Sequence, residues 1–294
     1  MIKTNKKKLV MQSVVGQISS PTFSKTPYVI SADGVPSVLP SVGGITYNVR
    51  IGDPAIGWAA DHVEPGVSIM NSEKSFGSWS PNAGLNTLAC VGNEVKVVSG
   101  EAKGSKGFVV GKHGGIEHVM VDFPPKVLDK LVVGDKMQAK AYGTGLELLD
   151  YTKEIHVMNI APDLFAKIPI KEKKDTLEFP VTHLIPAAIM GSGLGSSHCY
   201  SGDYDVQMFD DKIVKKHKLE TLRFGDFVAI VDADHSYGRI YRTGAVSIGI
   251  IVHSNCVIAG HGPGVMTVLT SGKGKIKPVV SKNSNLAHYL RIKK

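Results

Sequence analysis

Cysteine is scarce in this chain of 294 residues, and Cys90, Cys199 and Cys256 are far apart. They form neither a disulfide framework nor a Cys-x-x-Cys metal clip, so a reducing compartment is the consistent reading. No apolar run approaches the length of a membrane span, which argues against a membrane partner. The start, MIKTNKKKLVMQSVVG, is basic but lacks the long apolar region and small-residue cleavage site of a secretory signal. The expectation is therefore a cytoplasmic protein. Helix signals are few: only 126–131 and 212–222 suggest short ones. Gly191-Ser-Gly-Leu-Gly195 looks like a phosphate-cradling loop, yet it is neither Gly-x-Gly-x-x-Gly nor a Walker sequence, and no Gly-x-Ser-x-Gly supports serine hydrolase chemistry.

What is present is ordinary for a folded globular protein. With 43% hydrophobic and 20% charged residues, the chain is neither disordered nor membrane-embedded, and its length allows two domains. The net charge of +8 could signal an anionic partner. Much of the excess lies elsewhere, however. Lys3, Lys6, Lys7 and Lys8 sit in an N-terminal arm, Lys171, Lys173 and Lys174 in a connector, and Arg291, Lys293 and Lys294 at the far end, where solvated tails account for it.

Glycine and proline punctuate the chain, and the segments between them are rich in Val, Ile and Thr. NEVKVVSG, KGFVVGKHGG, IEHVMVDF, KMQAKAYG, DFVAIVDAD and AVSIGIIVHS are strand-length, and several alternate with a period of two. Gly52-Asp53, Gly92-Asn93, Gly134-Asp135 and Gly225-Asp226 each open such a run. There Gly supplies a positive φ, and the Asx side chain is expected to cap the following amides. The fold class is thus mainly β, as small barrels or sandwiches with few short helices. A polar, charged stretch at 160–180 suggests an N-terminal β domain over 1–165 and a glycine-rich C-terminal β domain over 166–294.

The segment 92–112, GNEVKVVSGEAKGSKGFVVGK, resembles the KOW motif of ribosomal and transcription-factor domains through Gly92, Val95, Val97, Gly100, Lys103, Gly104, Gly107 and Val110. The resemblance implies an SH3-like barrel in the first domain, and in that family often RNA or protein contact. Phe108 looks buried between valines, so the basic, aromatic-lined groove of a nucleic-acid binder is not evident.

Chemistry gathers in other segments. Asp203 and Asp205 in SGDYDVQ are two apart, and on a strand they share a face. Two such carboxylates repel unless a cation, donors or a shared proton relieves them. Asp232 and Asp234 in IVDADHSYGR repeat the spacing. In HSNCVIAGHGPGV, His253 closes an apolar run and His261 sits among Gly260, Gly262 and Gly264, whose accessible backbone can approach a ligand or bind an anion. ADHVEPGV echoes AGHGPGV: His62 and His261 each precede Pro-Gly-Val and a β-branched strand, so the two loops could meet across a cleft. His113 and His118 flank GGIE with Glu117. The diglycine rules out a shared helical face, and the pair reads as exposed residues of a hairpin turn. Cys256, in an apolar run, reads as a buried inert thiol.

Together DHVEPGVSI, GEAKGSKGFVVGKHGGIEHVMVDFP, GSGLGSSHCYSGDYDVQ, LRFGDFVAI and VHSNCVIAGHGPGVMTVLTSG resemble a family of bacterial and archaeal proteins defined as a domain of unknown function, with separate N- and C-terminal parts. GHGPGV is its most distinctive element. The resemblance implies two β-rich domains and brings no catalytic residues with it.

The leading expectation is a small-molecule-binding protein or metal-dependent hydrolase. His253, His261, Asp203 and Asp205 are its candidate catalytic groups, and His62, Asn255, Gly260, Gly262 and Gly264 would line a ligand site. Asp203, Asp205, Asp232, Asp234 and His261 are the candidate ligands of a divalent metal ion, which would lower the pKa of bound water. The glycine loop would stabilise developing negative charge through its amides. The alternatives are an RNA- or protein-binding module using Lys96, Lys103, Lys106 and Lys112, and a structural subunit of a homo-oligomer.

Overall fold

Four turns of one design organise the backbone. In the computed structural model, which describes residues 2–23 and 26–292, each Gly-Asx pair has its glycine at a φ between 82° and 94°. The Asx side chain accepts a hydrogen bond from the amide three residues earlier: Asp53 from Arg50, Asn93 from Cys90, Asp135 from Val132 and Asp226 from Arg223, at 2.8–3.1 Å. The expected cap on the following amides is thus replaced by one on a preceding amide. Only glycine takes the positive φ at low cost.

Two of these turns join the halves of the chain. Gly52 donates its amide to Phe224 O, Phe224 to Asp53 O, and Ala55 to Leu222 O, so the turns at 50–53 and 223–226 lie side by side.

Strand makes up 35% and helix 12%, with five short helices among the described residues, so the mainly β expectation holds. In the first half, six antiparallel strands close a barrel. Their order around it is Gln12–Ile18, Lys136–Ala141, Glu94–Val97, Lys106–His113, His118–Asp122 and Gly66–Met70. Pairing of Gln17 with Met70 and of Ile18 with Ile69 completes the ring. The hairpin read at 92–112 supplies two neighbouring strands of it. Closure leaves these strands no free edge, and apolar residues such as Val67, Ile69, Val95, Val109, Val119 and Val121 fill the interior.

The second half is built on a five-stranded sheet in the order His156–Val157, Val265–Ser271, Ile240–Ile251, Phe227–Asp234, His183–Pro186. The short helices expected near 126–131 and 212–222 appear as Pro125–Leu128 and Asp211–His217. Residues 160–180 are not a bare linker: they hold a helical turn, Pro162–Phe165, and the hairpin Lys171–Lys173 with Thr176–Val181. The N-terminal arm is not a solvated tail either, because Asn5 bonds to Gly145 O and Lys6 to Asp163. Lys293 and Lys294 lie outside the described residues.

One irregularity sets up the site. Val109 pairs with Val121 and Gly111 with Met120, so Val110 is an extra residue, a β-bulge just before His113. Gly111 faces the second half so closely that a Cβ there would lie 2.7 Å from Val252 Cγ1, next to His253. The missing side chain lets the barrel and the second sheet approach with a histidine from each at the seam.

Candidate metal centre

Four imidazoles meet at that seam. His62 comes from the loop leading into Gly66–Met70, His113 from the end of Lys106–His113, His253 from just past Ile240–Ile251, and His261 from the glycine loop before Val265–Ser271. Ring centroids are 4.3 Å apart for His113 and His253, 5.0 Å for His62 and His253, and 5.2 Å for His62 and His261. The two echoing loops therefore do meet. His62 holds a left-handed backbone, φ 50°, with its amide donating to Asn255 O across the halves. Asp203 and Asp205 reach the same point on an extended segment paired to Gly264.

Each ring is oriented by a bond at Nδ1. His62 Nδ1 donates to Asp61 Oδ2 at 3.0 Å, and His113 Nδ1 to Glu64 Oε1 at 2.7 Å. His253 Nδ1 donates to Ser254 O at 2.9 Å and His261 Nδ1 to Ala259 O at 3.1 Å. This is the second layer of support that metal-binding imidazoles characteristically have, and it leaves Nε2 on each ring as the donor atom. His253 Nε2 faces Asp203 Oδ2 at 2.6 Å and Asp205 Oδ1 at 3.5 Å, while His62 Nε2 faces Asp205 Oδ2 at 3.7 Å. Three overlapping triads, His62–His113–His253, His62–Asp205–His261 and Asp203–Asp205–His253, keep their donor atoms within 4.8 Å of one another.

The carboxylates are fixed as firmly. Asp203 Oδ1 accepts the Gly114 amide at 2.7 Å, and Asp205 Oδ2 accepts the Gly262 amide at 3.3 Å. Glu64 is buried and fully used: His113, His118, the Gly43 amide and the Ser68 hydroxyl all donate to it. Burial opposes its ionisation, but the two imidazole bonds win and hold it well below the ordinary glutamate range.

Asp203 Oδ2 and His253 Nε2 stand apart from this order. Both are buried, they lie 2.6 Å apart, and neither has a partner with hydrogen-bond alignment. Burial pushes Asp203 and Asp205 up, yet His253 draws both below the usual carboxylate range, with His62 adding to the effect at Asp205. Burial pushes His253 down, and the two aspartates outweigh it, holding the ring well above its ordinary value. The position between them favours positive charge, and a divalent cation placed there would compete with the His253 proton for it. Gly264 keeps that position open: a Cβ there would come within 2.0 Å of Asp203 Oδ2 and 2.3 Å of His253 Nε2.

Of the residues singled out in the sequence, His62, His253, His261, Asp203 and Asp205 converge. Asp232 and Asp234 do not. The strand shifts register between Val231 and Ala233, which breaks the two-residue alternation. Asp234 pairs with Arg242 and Ser236, and Asp232 accepts the Gly244 amide. The glycine loop is no free anion nest, since the Gly262 amide is committed to Asp205 and the His261 amide to Ile258 O. Asn255 acts through its backbone carbonyl, on His62. His113 and His118 are buried rather than exposed, because Glu64 lies between them. Asp61 and Glu64 escaped the sequence reading, although both flank His62 in DHVEPGV. Cys256 is buried beside Asp61, and burial raises its pKa, so its thiol is unreactive.

The lysine set proposed for RNA is also broken up. Lys106 pairs with Glu94 at 3.1 Å, and Lys112 is fully buried, bonded to Asn159 Oδ1 and Tyr200 O. Burial pushes Lys112 from 10.5 down to about 8. Between those values the unfolded chain binds more protons than the native one, so Lys112 makes stability rise with pH across that window. The full rise is on the order of 3 kcal/mol. Denaturant midpoints at pH 7.5 and pH 10 check this: Lys112→Met is expected to lose the rise seen in the wild type.

A cavity of about 490 Å³ opens beside the histidines, lined also by Gly114, Ser192, Gly193, Ser196 and Arg239. Residues 28–166 match the N-terminal model of a domain of unknown function, DUF4438, and residues 167–290 match its C-terminal model. The chain belongs to the DUF4438 family. A crystal structure of a protein named TM1086 is 50% identical, covers 98% of this chain and 99% of its own, and superposes with a TM-score of 0.92. The comparison with curated proteins finds no match. Among the described residues no helix is long and apolar enough to cross a membrane.

Proposed function

We propose that this DUF4438 protein is a metal-dependent hydrolase of small molecules, its cation held by Asp203, Asp205 and His253 and completed by His62, His113 and His261. The observation that carries the reading is the set of four clustered imidazoles, each with Nδ1 satisfied, one of which, His253, sets a buried Nε2 with no aligned hydrogen bond against the equally unsatisfied Asp203 Oδ2. Mixed imidazole and carboxylate donors suit a first-row divalent ion such as zinc, manganese or iron. Bound there, it would acidify water and polarise a substrate carbonyl or phosphoryl oxygen. Asp205 offers one oxygen toward His253 and the other toward His62, which favours a carboxylate shared between two adjacent positions. The three buried free thiols agree with a reducing, cytoplasmic setting.

Metal analysis of the protein purified without added metal tests this, together with melting before and after chelation. About one equivalent of a transition metal or more is expected. Chelation is expected to lower stability by roughly 3 kcal/mol if the ion is present at a hundred times its Kd. Protein that carries no metal, and whose melting responds to neither chelator nor added zinc or manganese, would overturn the reading. A hydrolysis screen follows only from the first result.

A further inference from the structure

The wall of the cavity carries a cation with no counter-charge. Arg239 lines the cavity and is only 4% exposed. Its Nη1 donates to Gly193 O at 3.2 Å, whereas Nε and Nη2 are buried with no oxygen partner, the neutral Cys199 thiol lies against the guanidinium, and no carboxylate among the described residues pairs with it. The Tyr204 ring lies 5.6 Å beneath the guanidinium, a contact that offsets part of the burial but supplies no anion.

We propose that the cavity admits a small molecule bearing an oxyanion, a carboxylate or a phosphate, which Arg239 clasps while the rest of the molecule reaches the imidazole and carboxylate cluster. Three features support it. The residue is held in place from both sides: its amide donates to Ser196 O and its carbonyl accepts from Gly195. Gly193 makes room for it, since a Cβ there would sit 2.9 Å from Arg239 Nη1 and 2.8 Å from Asp203 O, which also sets the guanidinium next to the main chain of the cluster. The unbalanced charge acts on its surroundings as well, because burial and then Arg239 push His235 down to about 3. Ser192, Ser196 and Ser201 line the cavity nearby and add neutral polar groups. A buried cation without a partner is costly, and an oxyanion matched to the guanidinium fork removes that cost.

This substrate class rests on the metal reading in one respect: Asp203 and Asp205 repel an anion in the same cavity unless a cation neutralises them. The test uses two probes, inorganic phosphate and succinate, titrated calorimetrically into metal-loaded and chelator-treated protein. Wild type, Arg239→Met and Arg239→Lys are compared, each first checked for a cooperative melt. The wild type is expected to bind one of the probes, and the tighter one names the class. Arg239→Met is expected to weaken binding about tenfold or more, and Arg239→Lys, which keeps the charge without the fork, to fall between. Equal affinity in Arg239→Met and wild type overturns the proposal, because the anion then rests on the metal alone. Failure of both probes to bind the loaded wild type overturns it too. Binding that needs Arg239 in chelated and untreated protein alike, with no metal found in either, upholds the clasp while the metal reading fails.

Discussion

His253→Ala is expected to release the metal while the protein stays folded. Among the described residues His253 Nε2 is the one imidazole nitrogen within 3.5 Å of both aspartates, so its loss removes a proposed ligand and the charge that draws Asp203 and Asp205 toward ionisation. Removing a supporting partner of a ligand already costs 10–100-fold in affinity, so losing the ligand is expected to cost about 100-fold or more. Competition with a chromophoric chelator measures it. The cavity left behind lowers stability by about 2–3 kcal/mol, which denaturant unfolding of the metal-free proteins reads separately. An alanine variant that holds metal as tightly as the wild type would show that the ring only pairs with the carboxylates.

Glu64→Gln carries the largest expected effect on stability. The carboxylate has two oxygens and four donors directed at them, from His113, His118, Ser68 and Gly43. Glutamine replaces one acceptor with an NH2 group, so donors face a donor in the interior. Breaking a buried charged network in this way costs about 3–5 kcal/mol. His113 also loses its orientation, so a roughly tenfold loss of metal affinity is expected alongside. The pH dependence has a definite sign. The folded pKa of Glu64 lies well below its unfolded value, so its contribution is present above the ordinary glutamate range and is lost as pH falls through that range toward the folded value. Acid unfolding is therefore expected to be shallower in the variant. Parallel acid-unfolding curves for variant and wild type would refute the role given to Glu64.

Much of the architecture could be read before the fold was known, because it follows from local rules. Period-two alternation gave the strands, and Gly-Asx pairs gave the turns. Asp203 and Asp205 share a face because extended backbone requires it, and the likeness of ADHVEPGV to AGHGPGV foretold a meeting that depends on both halves. Where the reading failed, a non-local or irregular feature intervened. A register shift separates Asp232 from Asp234. His113 and His118 looked like turn residues because the group that buries them, Glu64, lies about 50 residues earlier, in the loop before another strand. Lys112 looked available for RNA because nothing in its own segment reveals that Asn159 and Tyr200 close over it. Arg239 escaped notice because an unpaired charge is visible only once its surroundings are.

The order in which the ligands occur along the chain has a consequence for how the protein is made. His62 and His113 are synthesised early, Asp203 and Asp205 much later, and His253 and His261 last of the six. The barrel strands are therefore made long before the centre can close, and a nascent chain shorter than 253 residues presents only two of the imidazoles. On the proposed reading, a cation meets its full set of ligands only after residues 253–261 have been made. A chain that stops before residue 252 lacks the Val252 side chain that covers Gly111, so the barrel's face at the seam stays exposed until the second sheet is made.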